Sequence, residues 1–269
     1  SGIWALFRTF ASLYPKYTKQ LAVCILFIPS VFVWGSGIFK DTICLFGLGW
    51  LTYGCFRILI NREFKLSNII LTILSFILIY KVKVYILVAF VPALVMWIQF
   101  SYTKNIRIAG VRILVKLSLL ALLIIGVPFV MNRFSSELGR YSLENLLNTS
   151  TVTRTWILKK SGDEGSGYDL GTFDPSVSGM LSKLPLAVNV TLFRPYLWEA
   201  NNILILMSAL EAFLFLVITL RLLMHIGLKR IFSSINKDPN LQFCFVFAII
   251  FAFAVGISTY NFGSLSRYK

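Results

Sequence analysis

Apolar and polar residues do not alternate along this chain with the period of a strand or of a water-facing helix. They separate into long apolar blocks and short charged gaps. A block of roughly 18 or more apolar residues is long enough to cross a membrane as a helix. Blocks near or above that length run over about 21–39, 42–60, 84–100, 113–131, 202–224 and 241–260. A shorter run, 68–80, is parted from its neighbour only by Lys81-Val82-Lys83; it either crosses with little tilt or is re-entrant. The pattern predicts an all-α fold: a polytopic transmembrane helical bundle of about seven spans with one large, partly helical extracytoplasmic loop. Residues 1–131 form the N-terminal bundle, 132–201 the loop and 202–269 the C-terminal pair of spans.

Local detail refines this outline. Residues 1–20 have a rough amphipathic pattern and read as an interfacial helix or the tail of a cut span. Pro29 and Trp34-Gly35-Ser36-Gly37 interrupt the first span, either as a kink or as an early helix end that exposes backbone N–H groups. Gly47, Gly49 and Gly54 allow a neighbouring helix to approach the second span closely. Within the large loop, 133–160 reads as a helix begun by Ser135 or Ser136 with Glu137 in its first turn. Glycines, Pro175 and four acids make 161–178 irregular, and 180–191 is apolar again. The gap 221–240 reads as a basic loop.

Composition supports a membrane class, with 57% apolar residues and a mean hydropathy of +0.79. The net charge of +15 would otherwise suggest nucleic acid, but the cations flank the spans, where they set orientation and meet anionic lipid. Membrane lipid is therefore the expected partner, and nucleic acid is set aside. With seven spans, the side that receives 1–20, 57–67, 101–116 and 221–240 holds 14 Lys/Arg. By the positive-inside rule that side is cytoplasmic, and the loop 132–201 is periplasmic or extracellular. Crossing by 68–80 is a condition of this count. Cys24, Cys44, Cys55 and Cys244 lie in apolar runs without metal-ligand spacing. His225 is the only histidine, and no Gly-rich phosphate loop is present. No metal or other cofactor is expected. Ser1 at the start and Lys269 soon after a span predict a fragment of a longer protein.

The candidate chemistry centres on Leu192–Glu199, which closes the loop and opens the sixth span. Pro195 suits a helix start, and Tyr196 and Trp198 suit headgroup depth. Arg194 offers a fork of donors that matches carboxylate or phosphate, and Glu199 sits where a helix N-terminus favours negative charge. One reading is an interfacial anchor with an Arg–Glu pair. The other is a diphosphate or glycan site to which Arg267, Lys40 and Arg154 also contribute. Glu211, near the middle of the sixth span, must face the bundle and be paired or protonated. It either orients a cation of the site or makes a structural hydrogen bond.

Three stretches carry a resemblance: Pro29-Ser30-Val31-Phe32-Val33-Trp34-Gly35-Ser36-Gly37-Ile38-Phe39-Lys40-Asp41, then Phe193-Arg194-Pro195-Tyr196-Leu197-Trp198-Glu199-Ala200 with Ala209-Leu210-Glu211, and the tail Asn261-Phe262-Gly263-Ser264-Leu265-Ser266-Arg267-Tyr268-Lys269. Together they resemble bacterial polytopic membrane proteins of surface polysaccharide gene clusters, similar to O-antigen or oligosaccharide repeat unit polymerases (Wzy-type). That resemblance implies an inner-membrane glycosyltransferase that joins saccharides carried on undecaprenyl diphosphate at the periplasmic face, without metal or nucleotide, with partners in polysaccharide export. It implies that Arg194 and Arg267 hold diphosphate or glycan, and that Glu199 or Asp41 is the base that deprotonates an acceptor hydroxyl. The related ligases are expected to carry a histidine in the large outer loop, and this loop has none. The competing class is a non-enzymatic transporter, flippase or assembly scaffold, in which broken helices meet near Glu211.

Overall fold

A computed structural model describes residues 2–37, 39–103, 167–171, 174 and 176–268, with positions 110, 118 and 155 singly. Among these residues the chain is helical, and the only strand-like feature is an isolated antiparallel bridge between Gly167 and Asn261. Two compact units are present, 1–87 and 88–269.

The first unit holds α1 (Gly2–Leu13), α2 (Thr18–Leu26), α3 (Pro29–Ser36) and α4 (Lys40–Cys55), the last running on through a π-helical turn at Phe56–Ile60. It also holds the first part of α5 (Leu66–Thr103). The amphipathic start of the chain is α1, which buries Gly2, Ala5, Phe7 and Thr9 and packs along α4. Gly49 is required there, because any Cβ would run into the Gly2 carbonyl. The first apolar block is two helices bent by 58°. The break lies at Phe27-Ile28, where Pro29 forces Ile28 into an extended conformation (φ −71°, ψ 125°). The helix also ends early, at Ser36, so the block contains both a kink and a terminus. Thr42 Oγ1 lies 2.6 Å from Gly37 O and 2.9 Å from Trp34 O, and it serves carbonyls left open by that ending.

The runs 68–80 and 84–100 are not separated by a loop. They are two helical segments within Leu66–Thr103, together labelled α5, that meet at a kink at Lys83 (φ −149°, ψ 81°). Lys83 Nζ donates to Asp41 Oδ1, so the Lys81-Val82-Lys83 gap reads as solvated in sequence but is tied to α4 in the fold. Along the same seam, a Cβ on Gly47 would meet Ile79 and one on Gly54 would meet Thr72 Oγ1. The steps of seven residues in opposite directions mark antiparallel packing of α4 on α5, with small residues letting the backbones close in.

The second unit takes the rest of α5, then α6 (Val177–Ser182), α7 (Leu184–Phe193), a 3-10 turn at Leu197–Glu199, α8 (Ile203–Ile226), α9 (Leu228–Lys237), α10 (Pro239–Thr259) and α11 (Phe262–Leu265). The expected basic loop 221–240 is mostly α9. Trp97 stacks on Phe243 with centroids 4.5 Å apart, and its Nε1 donates to Asn240 Oδ1 at 2.8 Å, fixing α5 to the start of α10. The apolar stretch 180–191 ends in α7, which lies against α10. Thr191 Oγ1 donates to Ala252 O at 2.8 Å, and Gly256 faces the Ala187 carbonyl so closely that no Cβ fits.

Among the described residues, four helices are long and apolar enough to cross a membrane: Lys40–Ile60, Leu66–Thr103, Ile203–Ile226 and Pro239–Thr259. The bent pair α2–α3 makes up to five. A helix as apolar all round as α8 needs lipid or other helices to cover it, and Leu204, Leu210, Leu214 and Ile218 are exposed on it. The expected span 113–131, the helix 133–160 and most of the loop 132–201 lie outside the described residues.

The α7–α10 contact leaves no room for a side chain at Gly256. Gly256→Ala is expected to lower stability by about 1–3 kcal/mol through overpacking. Gly35→Ala meets only the flexible end of Ile3 and is expected to cost far less. Thermal unfolding followed by size-exclusion fluorescence in detergent compares the two.

Candidate functional site

The site grows from the ends of the two clamped helices. Helix α7 stops at Phe193, and Arg194 N still bonds to Val190 O at 3.2 Å. The Arg194–Pro195 peptide is cis, and Pro195 is fully buried. The chain then turns through Leu197–Glu199 and enters α8, whose first turn is capped by Asn202 Oδ1 accepting from Ile205 N at 2.9 Å. This short path folds Glu199 back on its own segment. Glu199 Oε2 accepts the Tyr196 N–H at 2.8 Å, and Arg194 Nε lies 3.1 Å from both carboxylate oxygens. Arg194 Nη2 also donates to Glu199 Oε1. The result is a forked, partly buried ion pair with side-chain exposures of 21% and 18%.

Aromatic rings enclose the pair. The Arg194 guanidinium carbon lies 5.7 Å from the Tyr196 ring centroid and 5.1 Å from that of Phe262, within cation–π range. Tyr196 stacks on Trp198 at 4.9 Å, and Trp198 is 81% exposed. Phe262 begins α11, the first turn after α10. Two of the three stretches that carried the resemblance therefore meet at one cation.

The end of α10 is held by the described part of the large loop. Tyr168 OH donates to Gly256 O at 2.8 Å, and Tyr168 N donates to Tyr260 O at 3.1 Å. These bonds serve carbonyls that lack partners at a helix C-terminus. The Tyr168 ring lies 5.7 Å from Tyr260 and 5.4 Å from Phe262. Tyr260 sits in the left-handed region (φ 51°), a conformation that disfavours a side chain, and this cluster holds it there. Burial pushes the Tyr168 hydroxyl well above the ordinary tyrosine value, and the nearby Arg194 charge opposes that only in part.

The predicted site residues fall into two groups. Arg194, Glu199 and Arg267 are in the second unit. Arg267 is exposed on the turn after α11, with its N–H 3.3 Å from Ser264 O. Glu211 is half-buried on α8, beside the inward face formed by Ile205, Ser208, Ala209 and Ala212. In the first unit Lys40 is the exposed first residue of α4, and Asp41 is buried and paired with Lys83. Arg154 lies outside the described residues. Tyr168 was not singled out from the sequence, where it is an aromatic residue in a Gly- and Asp-rich loop. Nor was Phe262 read as a cover for Arg194, or Lys83 as the partner of Asp41.

Chemically, the arrangement offers a planar cation held in a fixed orientation beside an exposed aromatic stack. Both oxygens of Glu199 are engaged, which suits a residue that positions Arg194. Asp41 likewise spends a carboxylate oxygen on Lys83.

Removing one partner of a buried pair leaves the other charge uncompensated. Asp41→Ala is expected to lose roughly 3–5 kcal/mol of stability, most of it restored in Asp41→Leu/Lys83→Met. Survival of function in that double variant would exclude Asp41 as a base. Tyr168 has a raised folded-state value, so its contribution is complete below about pH 10 and is lost as the pH rises through that point. Tyr168→Phe is expected to flatten the alkaline fall in melting temperature, while costing about 1 kcal/mol at neutral pH for the bond to Gly256 O. Comparison of the chain with protein-family models, with curated proteins and with solved structures finds no match.

Proposed function

We propose that this chain is part of a bacterial inner-membrane protein that polymerises or transfers saccharides linked to undecaprenyl diphosphate at the periplasmic face. The observation that carries the reading is Arg194. Its guanidinium is oriented by Glu199, covered by Phe262 and Tyr196, and set at the end of the apolar helix α8. A lipid-linked diphosphate presents its charge at the depth where such a helix ends. Arg194 supplies one positive charge for the diphosphate, and Arg267, five residues beyond Phe262, adds a second cation. The exposed Tyr196–Trp198 stack supplies a flat apolar platform for a sugar ring. Glu199 is the positioning residue in this scheme, and the leaving undecaprenyl diphosphate is stabilised by charge rather than by a metal.

The bent pair α2–α3 favours a second reading, a transporter or flippase for the same class of lipid, because broken helices are the usual site of substrate passage in such proteins.

Replacing Arg194 separates these. In the native host, Arg194→Ala is expected to lower long-chain surface polysaccharide by roughly tenfold or more, the scale of a lost charged hydrogen bond. Arg194→Lys is expected to rescue little, since an ammonium lacks the planar fork. Gel profiles of the polysaccharide, with protein level checked by blot, give the result. Single repeat units accumulating on the outer face support polymerisation, and units retained inside support transport. Unchanged polymer at normal protein level leaves Arg194 as an anchor.

A further inference from the structure

Helix α9 has a polarity pattern unlike that of any other described helix. Leu228, Ile231, Phe232 and Ile235 recur at i, i+3, i+4 and i+7 and share one narrow face. Lys229, Arg230, Ser233, Ser234, Asn236 and Lys237 occupy the opposite side. The helix begins at Gly227, whose positive φ of 79° breaks it from α8, and it ends where Asp238 caps α10, with Oδ1 accepting from Asn240 N at 2.9 Å. Two helices long enough to span therefore flank it in the chain, α8 ending before it and α10 beginning after it. Its inner residues Ile231 and Ile235 are half-buried, and Phe232 meets Phe245 of α10 edge-on at 6.4 Å. The outer part of the apolar face is uncovered: Leu228 is 60% and Phe232 51% exposed. Met224 and Ile226, at the end of α8 just before the break, are exposed as well. Lys229, Arg230 and Lys237 are exposed on the polar side, and Arg221 and His225 lie just before the break.

We infer that α9 is an interfacial helix that lies in the headgroup layer and binds anionic phospholipid, with Leu228 and Phe232 inserted among acyl chains and Lys229, Arg230 and Lys237 on the headgroup phosphates. Two independent features support that occupant. The uncovered apolar face follows directly in the chain on the exposed apolar end of α8, a helix long and apolar enough to span, so the same solvent suits both. The cations on the other face carry no acid between Gly227 and Lys237, so their charge is complementary to a negative surface. Each Lys or Arg near an anionic bilayer adds roughly fivefold to affinity. This inference rests on the spanning helices and is independent of the saccharide chemistry.

The test is amide hydrogen exchange on the full chain in two kinds of vesicle: phosphatidylcholine alone, and phosphatidylcholine with phosphatidylglycerol in about equal parts. Exchange over 228–237 is expected to be roughly tenfold slower in the anionic vesicles. The difference is expected to vanish in Lys229→Gln/Arg230→Gln/Lys237→Gln, while α10 stays protected in every sample and reports an intact fold. Inorganic phosphate added to phosphatidylcholine vesicles is expected to change nothing. Equal exchange in the two vesicles for the unmodified chain overturns the proposal, as does a triple variant that keeps the difference. Slowing by inorganic phosphate alone overturns it in favour of a free-anion site.

Discussion

The backbone contact between Ala187 and Gly256 sets the geometry of the second unit. It brings α7 and α10 together with no side chain between them, and Thr191 adds a hydroxyl bond across the seam to Ala252 O. Everything of chemical interest then follows within about two helical turns. Helix α7 ends at Phe193 and delivers Arg194, and α10 ends at Thr259 and delivers Tyr260 and Phe262. Neither segment has the length to wander, so the cation and its aromatic cover meet because the helices that carry them are clamped. Tyr168 closes the arrangement by capping the same end of α10. The strain of a left-handed tyrosine at 260 is tolerated because stacking and hydrogen bonding act on that one residue together.

The first unit solves a different problem. Helices α4 and α5 meet along glycines, which gives close packing but little side-chain interlock. The Asp41–Lys83 pair supplies direction at the end of that seam. It matches one acid to one base across two elements, so a slide of either helix by a turn would strand a charge. Such pairs are seldom a net source of stability, yet they discriminate strongly against the wrong register. The kink at Lys83 that divides the two segments of α5 coincides with this pairing.

The long apolar blocks were legible because lipid imposes a strong length requirement, and the blocks 42–60, 202–224 and 241–260 appear as helices with ends near those expected. The division at Lys81-Val82-Lys83 was legible, since the helical path breaks at Lys83, but two lysines in three residues look solvated when only the local chain is seen. The partner that removes one of them from solvent lies 42 residues earlier. The bend before Pro29 was readable, since proline constrains its predecessor locally. The Arg194–Glu199 pair was also readable, being five residues apart at a helix start. Only the Tyr196 part of its aromatic cover was local, because Phe262 comes from a distant segment brought near by helix packing. The period in α9 was present in the sequence, but its ten residues lay inside a stretch whose charge drew the eye to loop.

The spacing of these partners has a consequence for the order in which the protein is made. Arg194 and its acid emerge from the ribosome almost together, whereas Phe262 follows about 70 residues later, roughly 3–14 seconds at ordinary rates of translation. During that interval a guanidinium beside an inserting helix has the Tyr196 ring beside it but lacks Phe262. Glu199 is near enough to neutralise it from the start. The local carboxylate thus acts as a temporary chaperone for the charge, and the finished cluster forms only when the last helix arrives.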